Sequence, residues 1–313
     1  MTVTTHRLPM IIDEVEVTRV ERLSPSFVRV ELGGPCLAEF GVDGPLYDQR
    51  IKLVFPGASG RLPSFAGADE SWWSTWLDIP AEERGHMRTY TVREVRGSGA
   101  DTRLVVDVVL HLADGASGPG ARWAAAARPG DRLVTIAPRK GEPYGGIEFV
   151  PGAARHLLLA GDETAVPAIS AILECLPEGS RGVAFLEVPL TGDVLELDAP
   201  VGVEVVWLPR DGAPLGQRLH ASVVSHLGAR PVPIEVVDEE VDPEVWETPT
   251  YSSSGEPVAS LSSDAPHPDL YAWIAGEARV VTGLRRHLVR ELGIDRRQVA
   301  FMGYWRQGVA MRS

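Results

Sequence analysis

The chain has 313 residues, 30 basic against 43 acidic, and its formal charge of −13 argues against nucleic acid or an anionic membrane surface as a partner. The length suits two domains of ordinary size, no stretch reaches the roughly eighteen apolar residues of a membrane helix, and residues 1–8 lack the apolar centre of a signal peptide, so the cytoplasm is the expected compartment. Two cysteines, Cys36 and Cys175, are too few for a four-thiolate iron–sulfur cluster and read as small core residues, and the histidines show no metal-ligand spacing, so no metal site is expected. In chain order, strands are predicted at 11–20, 27–32, 50–55, 89–95, 104–111 and 133–137, several with the apolar/polar alternation of antiparallel strands that keep one wet face. Trp72, Trp73 and Trp76 are spaced like one helical face, which either packs on those strands or rims a bound group. A helix follows Gly118-Pro119-Gly120 and is stopped by Arg128-Pro129-Gly130-Asp131. Six short strands and one helix imply a closed six-stranded antiparallel β-barrel over residues 1–152, with the boundary at Pro151-Gly152.

Residues 153–313 read differently. Strands at Leu157, 183–188, 203–208, 271–275 and 299–304 alternate with helices near 166–176, 218–227 and 278–292, so the second domain is α/β with a parallel sheet of nucleotide-binding type and the whole chain is α+β. An acidic, Pro- and Ser-rich insertion at 230–269 carries Asp238-Glu239-Glu240-Val241-Asp242, which reads as a solvated loop, with a lid over a cleft as the sharper alternative.

Candidate chemistry begins at Arg88-Thr89-Tyr90-Thr91. On an extended strand Arg88 and Tyr90 share a side and Thr91 takes the other, so one side offers a cation for a pyrophosphate and a ring for a flat heterocycle. Small residues and free amides at Gly118-Pro119-Gly120-Ala121 make a helix start suited to an anion. In the second domain the strand at Leu157 runs into Gly161-Asp162-Glu163-Thr164-Ala165, with Thr164 a candidate helix cap, and the strand at Tyr271 runs into Ala275-Gly276-Glu277. No Gly-x-Gly-x-x-Gly follows Leu157, and Asp162 with Glu163 would repel a dinucleotide phosphate if they faced it. Glu187, ending the second strand of this domain, is placed either to bond a ribose 2′-hydroxyl, which favours NADH, or as an ordinary strand-end Glu, and Arg210 nearby argues the other way. The chain has two lysines, Lys52 and Lys140, among its 30 basic residues, left either by coding bias or by function.

These pieces, in this order, resemble the siderophore-interacting proteins, a branch of the ferredoxin reductase-like flavoproteins that reduce ferric siderophores. The likeness runs through Asp48-Gln49-Arg50-Ile51-Lys52-Leu53, Arg88 to Thr91, Gly118 to Trp123, Gly161 to Ala165, Ala275-Gly276-Glu277 and Gly303-Tyr304-Trp305-Arg306, and it leaves out the tryptophan segment and the acidic insertion. The resemblance implies FAD on the first domain, with Arg88 on the pyrophosphate, Tyr90 on the isoalloxazine and Thr91 near its reactive nitrogen. Val92, Asp107, Val109 and His111 would line the same cofactor, His111 being equally readable as a strand-end residue bonded to backbone. Pro119, Gly120, Ala121 and Trp123 would hold the phosphate and adenosine side. Asp162, Thr164, Ala165, Gly276, Glu277 and Trp305 would frame the gap where a nicotinamide approaches. Lys52, Arg139, Lys140 and Arg306 would form a basic rim for an anionic ferric siderophore. No catalytic acid, base or nucleophile is implied, because the flavin carries the chemistry. The implied donor is NADH or NADPH, with NADH preferred, or a reduced ferredoxin. Two other readings stay open: a cytoplasmic siderophore-binding protein without turnover, and a general NAD(P)H diaphorase.

Overall fold

The computed structural model describes residues 7–111, 117–228, 246–248, 251–252 and 267–309, and the chain divides at Ile147 and Glu148 into two compact units, with Ser24–Ser26 grouped in the second. Most of the acidic insertion, including the run at 238–242, lies outside the described residues.

The first unit is one antiparallel sheet of seven strands: β1 (Met10–Arg22), β2 (Phe27–Gly33), β3 (Arg50–Phe55), β4 (His86–Thr91), β5 (Glu94–Arg96), β6 (Arg103–Val109) and β7 (Arg132–Pro138). Their order is β4-β3-β7-β1-β2-β6-β5. Six strands were expected, and the difference lies in the strand predicted at 89–95, which is two. At Val92 the backbone N–H still reaches Gln49 O on the β3 side (2.9 Å), and at Arg93 it reaches Val105 O on β6 (2.9 Å). The chain therefore changes partner between two adjacent residues. Because β4 and β5 stand at opposite ends of the strand order yet are joined by those two residues, the sheet must curl until its ends meet.

Alternation decides what lies inside. Ile51, Leu53 and Phe55 of β3 pack with Val30, Leu104 and Leu133 in the interior core, while Val54, Met87, Val134 and Ile136 form a second, smaller core on the outer face. Helix α1 (Trp72–Asp78) covers that outer core with Trp76, 1% exposed, whose indole N–H donates to Arg84 O (3.0 Å). Of the two readings of the tryptophans, Trp76 and Trp72 follow the packing one, and Trp73 remains 41% exposed. Helix α2 (Pro119–Ala126) lays Gly120, Ala121 and Ala124 against the barrel. Cys36 packs beside the interior core, and burial, reinforced by Asp13, pushes its thiol up to about 11.

The second unit holds β8 (His156–Gly161), α3 (Val166–Cys175), β9 (Gly182–Val188), β10 (Val203–Pro209), α4 (Gln217–His226), β11 (Trp246–Thr248), β12 (Tyr251–Ser252), β13 (Leu270–Glu277), α5 (Ala278–Arg285) and β14 (Val299–Trp305). The sheet order is β10-β9-β8-β13-β14-β11-β12, parallel through the first five strands and antiparallel from β14 to β11 and β12. Those five are the predicted strands. β11 and β12 fall within the 230–269 insertion, beyond the run at 238–242, where no strand was predicted. The helix expected over 278–292 is α5 followed by a π-helical turn, Arg286–Glu291. Every residue of β13 is buried, as a parallel strand covered on both faces must be. The chain steps from β8 outward to β9 and β10, then returns to β13 on the other side, so the strand order reverses between β8 and β13. Ligands of such sheets bind outside the carboxyl ends of the strands at that reversal. No helix among the described residues is long and apolar enough to cross a membrane.

The outer core gives a test. Trp76→Ala should lower stability by about 3–5 kcal/mol, read as an earlier urea midpoint. Trp73→Ala, at an exposed position, should stay within about 1 kcal/mol of the parent.

Candidate functional site

Two clusters of chemistry-bearing residues stand out, one in each unit. In the first, the β3–β4 register sets Tyr90 opposite Ile51, Arg88 opposite Leu53 and His86 opposite Phe55, so all three side chains lie on the side of the sheet that carries the interior core. The Tyr90 ring meets Phe55 edge-on at 5.9 Å, and Phe55 meets Trp123 of α2 at 5.0 Å. A Cβ on Gly120 would overlap the Tyr90 hydroxyl and come within 3.3 Å of the Phe55 ring. Glycine at the first turn of α2 is thus set by how closely the helix approaches Tyr90. Burial pushes the Tyr90 phenol up, so it stays protonated. Arg88 is half-buried, its guanidinium donates to Met87 O (2.7 Å), and burial lowers its pKa. His86 is held below the ordinary imidazole value by burial first, then by Arg88 and by Arg122 of α2. Sequence reasoning named Arg88 but missed His86 and Arg122. The period of two along β4 was the signal available for the former.

On the opposite side of the same strands, Thr91 pairs with Arg50 and Thr89 with Lys52. Lys52 reaches the Thr89 hydroxyl (3.4 Å), and burial with Arg50 beside it lowers its pKa. Tyr144 borders this patch: burial pushes its phenol up while Arg50 opposes the shift. Lys140 is exposed just after β7, the strand that meets β3 at Lys52.

Other expected residues have structural employment. The Arg139 guanidinium is ion-paired with Glu39 and donates to Leu8 O and Met10 O (both 3.0 Å), which removes it from the expected basic rim. Asp107 is gripped by Arg29 through both oxygens (2.7 and 2.8 Å) and lies 3.7 Å from Arg93. Val92 points into the interior core. Pro119 opens α2, Ala121 is buried beneath it, and Val109 and His111 are half-buried at the end of β6.

In the second unit, Asp162 is the hub. Its buried carboxylate accepts from the Thr164 N–H (2.8 Å) and hydroxyl (2.5 Å) on one oxygen and from the Glu277 N–H (2.6 Å) and Trp305 indole (2.8 Å) on the other. Burial, then Glu163, pushes it up to about 7 against the pull of those donors. Gly276, at φ +146°, leaves that carboxylate room, since a Cβ would lie 2.6 Å from its oxygen. The expected set Asp162, Thr164, Gly276, Glu277 and Trp305 therefore converges at the carboxyl ends of β8, β13 and β14. Thr164 does not cap α3: its hydroxyl is spent on Asp162, and the cap position is Ala165, fully buried and without a side-chain bond. Glu277 caps α5 through the Arg279 and Val280 amides (2.8 and 3.2 Å). Arg306, half-buried, follows β14.

The Glu187 reading is overturned. Its carboxylate is 0% exposed, accepts from the Gly216 and Leu219 amides at the start of α4 (2.7 and 3.1 Å) and lies 3.4 Å from Arg210, so no ribose can reach it. Arg210 in turn binds Glu163 through two bonds (2.6 and 2.9 Å). Neither is placed to read a 2′-substituent, and neither Asp162 nor Glu163 faces outward to repel a phosphate. Among the described residues no group of three or more His, Cys, Asp or Glu could hold a metal ion.

Comparison with known proteins finds matches over both units. Residues 154–308 match the siderophore-interacting protein family, and residues 16–142 match the siderophore-interacting FAD-binding domain. The chain belongs to the siderophore-interacting proteins. It is 31% identical over 303 residues to the ferric vibriobactin reductase ViuB of Vibrio cholerae, covering 96% of this chain and 90% of that one. It is 27% identical over 300 residues to the NADPH-dependent ferric-chelate reductase of Escherichia coli, covering 93% and 92%. A solved siderophore utilization protein from T. fusca superposes with a TM-score of 0.67 at 31% identity over 98% of this chain and 97% of that one. The Arg88–Tyr90 side suits the cofactor named for its domain: cations for a pyrophosphate, a ring for a flat heterocycle, and a helix start kept free of a Cβ.

Two outcomes test this siderophore-interacting protein's construction. Gly120→Ala should destabilise the flavin-free first unit by about 1–3 kcal/mol, and adding Tyr90→Phe, which removes the overlapped hydroxyl, should recover most of the loss in thermal melting. Arg210→Ala removes the cation paired with two buried carboxylates, Glu163 and Glu187, and should cost about 3–5 kcal/mol in urea denaturation, with Arg210→Ala/Glu163→Gln less affected than Arg210→Ala alone.

Proposed function

We propose that this chain is an FAD-dependent reductase that converts the Fe(III) of a ferric siderophore to Fe(II), drawing electrons from a nicotinamide dinucleotide. The observation that carries the reading is the Arg88–Tyr90 side of β4 with the first turn of α2 set against it. The chemistry that FAD supplies when bound is the division of a two-electron hydride into the single-electron steps that Fe(III) accepts. The residues of the chain bind and orient. Arg88 and Arg122, with the amides that open α2, neutralise a pyrophosphate, and Tyr90 presents its ring to the isoalloxazine while its hydroxyl is lodged against Gly120. Thr91, on the other side, offers a hydroxyl and a backbone amide near the reactive edge.

Lys52 sits on the Thr91 side with Arg50, and Lys140 follows the adjoining strand. These cations favour an anionic ferric complex beside the flavin edge, and the screening of distant carboxylates beyond about 8 Å lets them dominate locally despite the acidic chain. Iron leaves after reduction because Fe(II), less charged, is held less well by hard oxygen donors. For the donor, the carboxyl ends of β8 and β13, around Thr164, Gly276 and Trp305, are the place for a nicotinamide nucleotide. The burial of Glu187 withdraws the argument for NADH, and the named dependence of the Escherichia coli relative supports NADPH.

The test is the visible spectrum of the purified protein under anaerobic conditions, with NADPH, NADH or reduced ferredoxin added in turn, then a ferric siderophore and an Fe(II) chelator. Flavin bands should bleach with NADPH and return as Fe(II) appears. A colourless protein that takes up no FAD yet binds the siderophore would overturn the reductase reading and leave a binding protein. Lys52→Ala with Lys140→Ala should raise KM for the ferric siderophore about fivefold, as loss of roughly 1 kcal/mol implies, with FAD content unchanged.

A further inference from the structure

His86 lies two residues before Arg88, on the same side of β4 and directly across from Phe55. The residue before it, Gly85, has φ +73°, and a Cβ there would run into the Phe55 carbonyl, so the turn that delivers the ring is fixed by close backbone contact. From the other direction, α2 brings Gly120 against Tyr90 and Phe55 and carries Arg122 in its first turns. Among the described residues, the charged groups acting on His86 are Arg88 from its own strand and Arg122 from that helix, both cations. A half-buried imidazole that feels two guanidinium groups is a poor place for a proton. The same place becomes a good one when a doubly charged anion sits among the three.

We propose that His86 is the third cation of the pyrophosphate site, and that FAD binding takes up a proton onto its imidazole. The inference rests on the reading of the Arg88–Tyr90 side as the FAD site. In the free protein, burial and the two arginines hold His86 below the ordinary imidazole value, so it is mostly neutral at neutral pH. The bound pyrophosphate reverses the sign of its surroundings and raises that value. Linkage then fixes the direction. FAD affinity is greatest below the pKa of the free protein, declines as pH rises toward the pKa of the complex, and is constant again above it. Each unit of separation between the two values is a tenfold change in Kd.

The experiment is titration of the flavin-free protein with FAD, followed by flavin fluorescence from about pH 5.5 to 8, together with calorimetry at neutral pH in two buffers of different ionisation heat. The native chain should lose about tenfold or more in FAD affinity across that window and show net proton uptake. His86→Gln should bind more weakly at low pH with no slope and no uptake. His86→Lys, a permanent cation, should bind tightly with no slope, which keeps the test open if the glutamine variant fails to fold. Riboflavin, which lacks the pyrophosphate, should bind the native chain without the slope. FAD binding that is flat with pH in the native chain, or a slope that persists in His86→Gln, would overturn the role of His86 while leaving the FAD site standing. Failure to take up FAD at any pH would overturn the FAD reading and this inference together.

Discussion

The architecture of the first unit turns on one change of hydrogen-bond partner, where the backbone leaves the β3 side at Val92 and joins β6 at Arg93. Everything proposed for the flavin depends on what lies just before it. Arg88, Tyr90 and Thr91 are the last residues of the strand on one edge, held in register by β3, and the next residues already belong to the opposite end of the sheet. The switch is fastened electrostatically by Asp107, a buried carboxylate that grips Arg29 of β2 and lies close to Arg93 at the switch itself. A buried charge is tolerable only when it is paired, and here the pairing ties the place where the curled sheet meets itself. Asp107 thus acts through geometry, holding the strand that carries the site.

In the second unit the same physics is applied with acids. Asp162, Glu163, Glu187 and Glu277 are all buried, and the hydrogen bonds of all four are made to backbone amides, an arginine, an indole or a neighbouring hydroxyl. They stitch the strand ends to the helix starts: Asp162 joins β8 to β13 and β14, Glu187 joins β9 to α4, and Glu277 opens α5. A nucleotide fold with a glycine-rich loop uses its helix amides for phosphate. This one spends several of them on its own carboxylates, which accounts both for the missing Gly-x-Gly-x-x-Gly and for acidic residues where a dinucleotide would otherwise meet repulsion.

Much of the fold was legible because period and punctuation are local properties. The alternation at 27–32 and 50–55, the apolar run of β13 and the glycine and proline stops around α2 each follow from short-range geometry, and each element lies where it was expected. The single strand at 89–95 missed the start of β4 at His86 and the break after Thr91, the latter because Thr91, Val92 and Arg93 are all compatible with extended backbone and nothing local announces that the partner changes between them. Glu187 misled for a related reason. A Glu at the end of a strand looks the same in sequence whether it faces solvent or accepts from a helix start packed above it. Arg139 was placed on a basic rim by the resemblance, and nothing local announces that its guanidinium is taken by Glu39 and by the Leu8 and Met10 carbonyls.

By itself the sequence determined the class of the two domains, the family, and the side of the strand shared by Arg88 and Tyr90, since each depends on residue type and spacing along a few residues. The tertiary structure decided which charges are available. Arg139, Asp107, Glu163 and Glu187 are consumed by partners 100, 78, 47 and 32 residues away in the chain, respectively, whereas the packing of α2 on the barrel brings Arg122 within electrostatic reach of His86, which strand period already sets beside Arg88. Charge is written in the sequence, but whether it is neutralised inside the protein or left for a ligand depends on contacts that only folding makes.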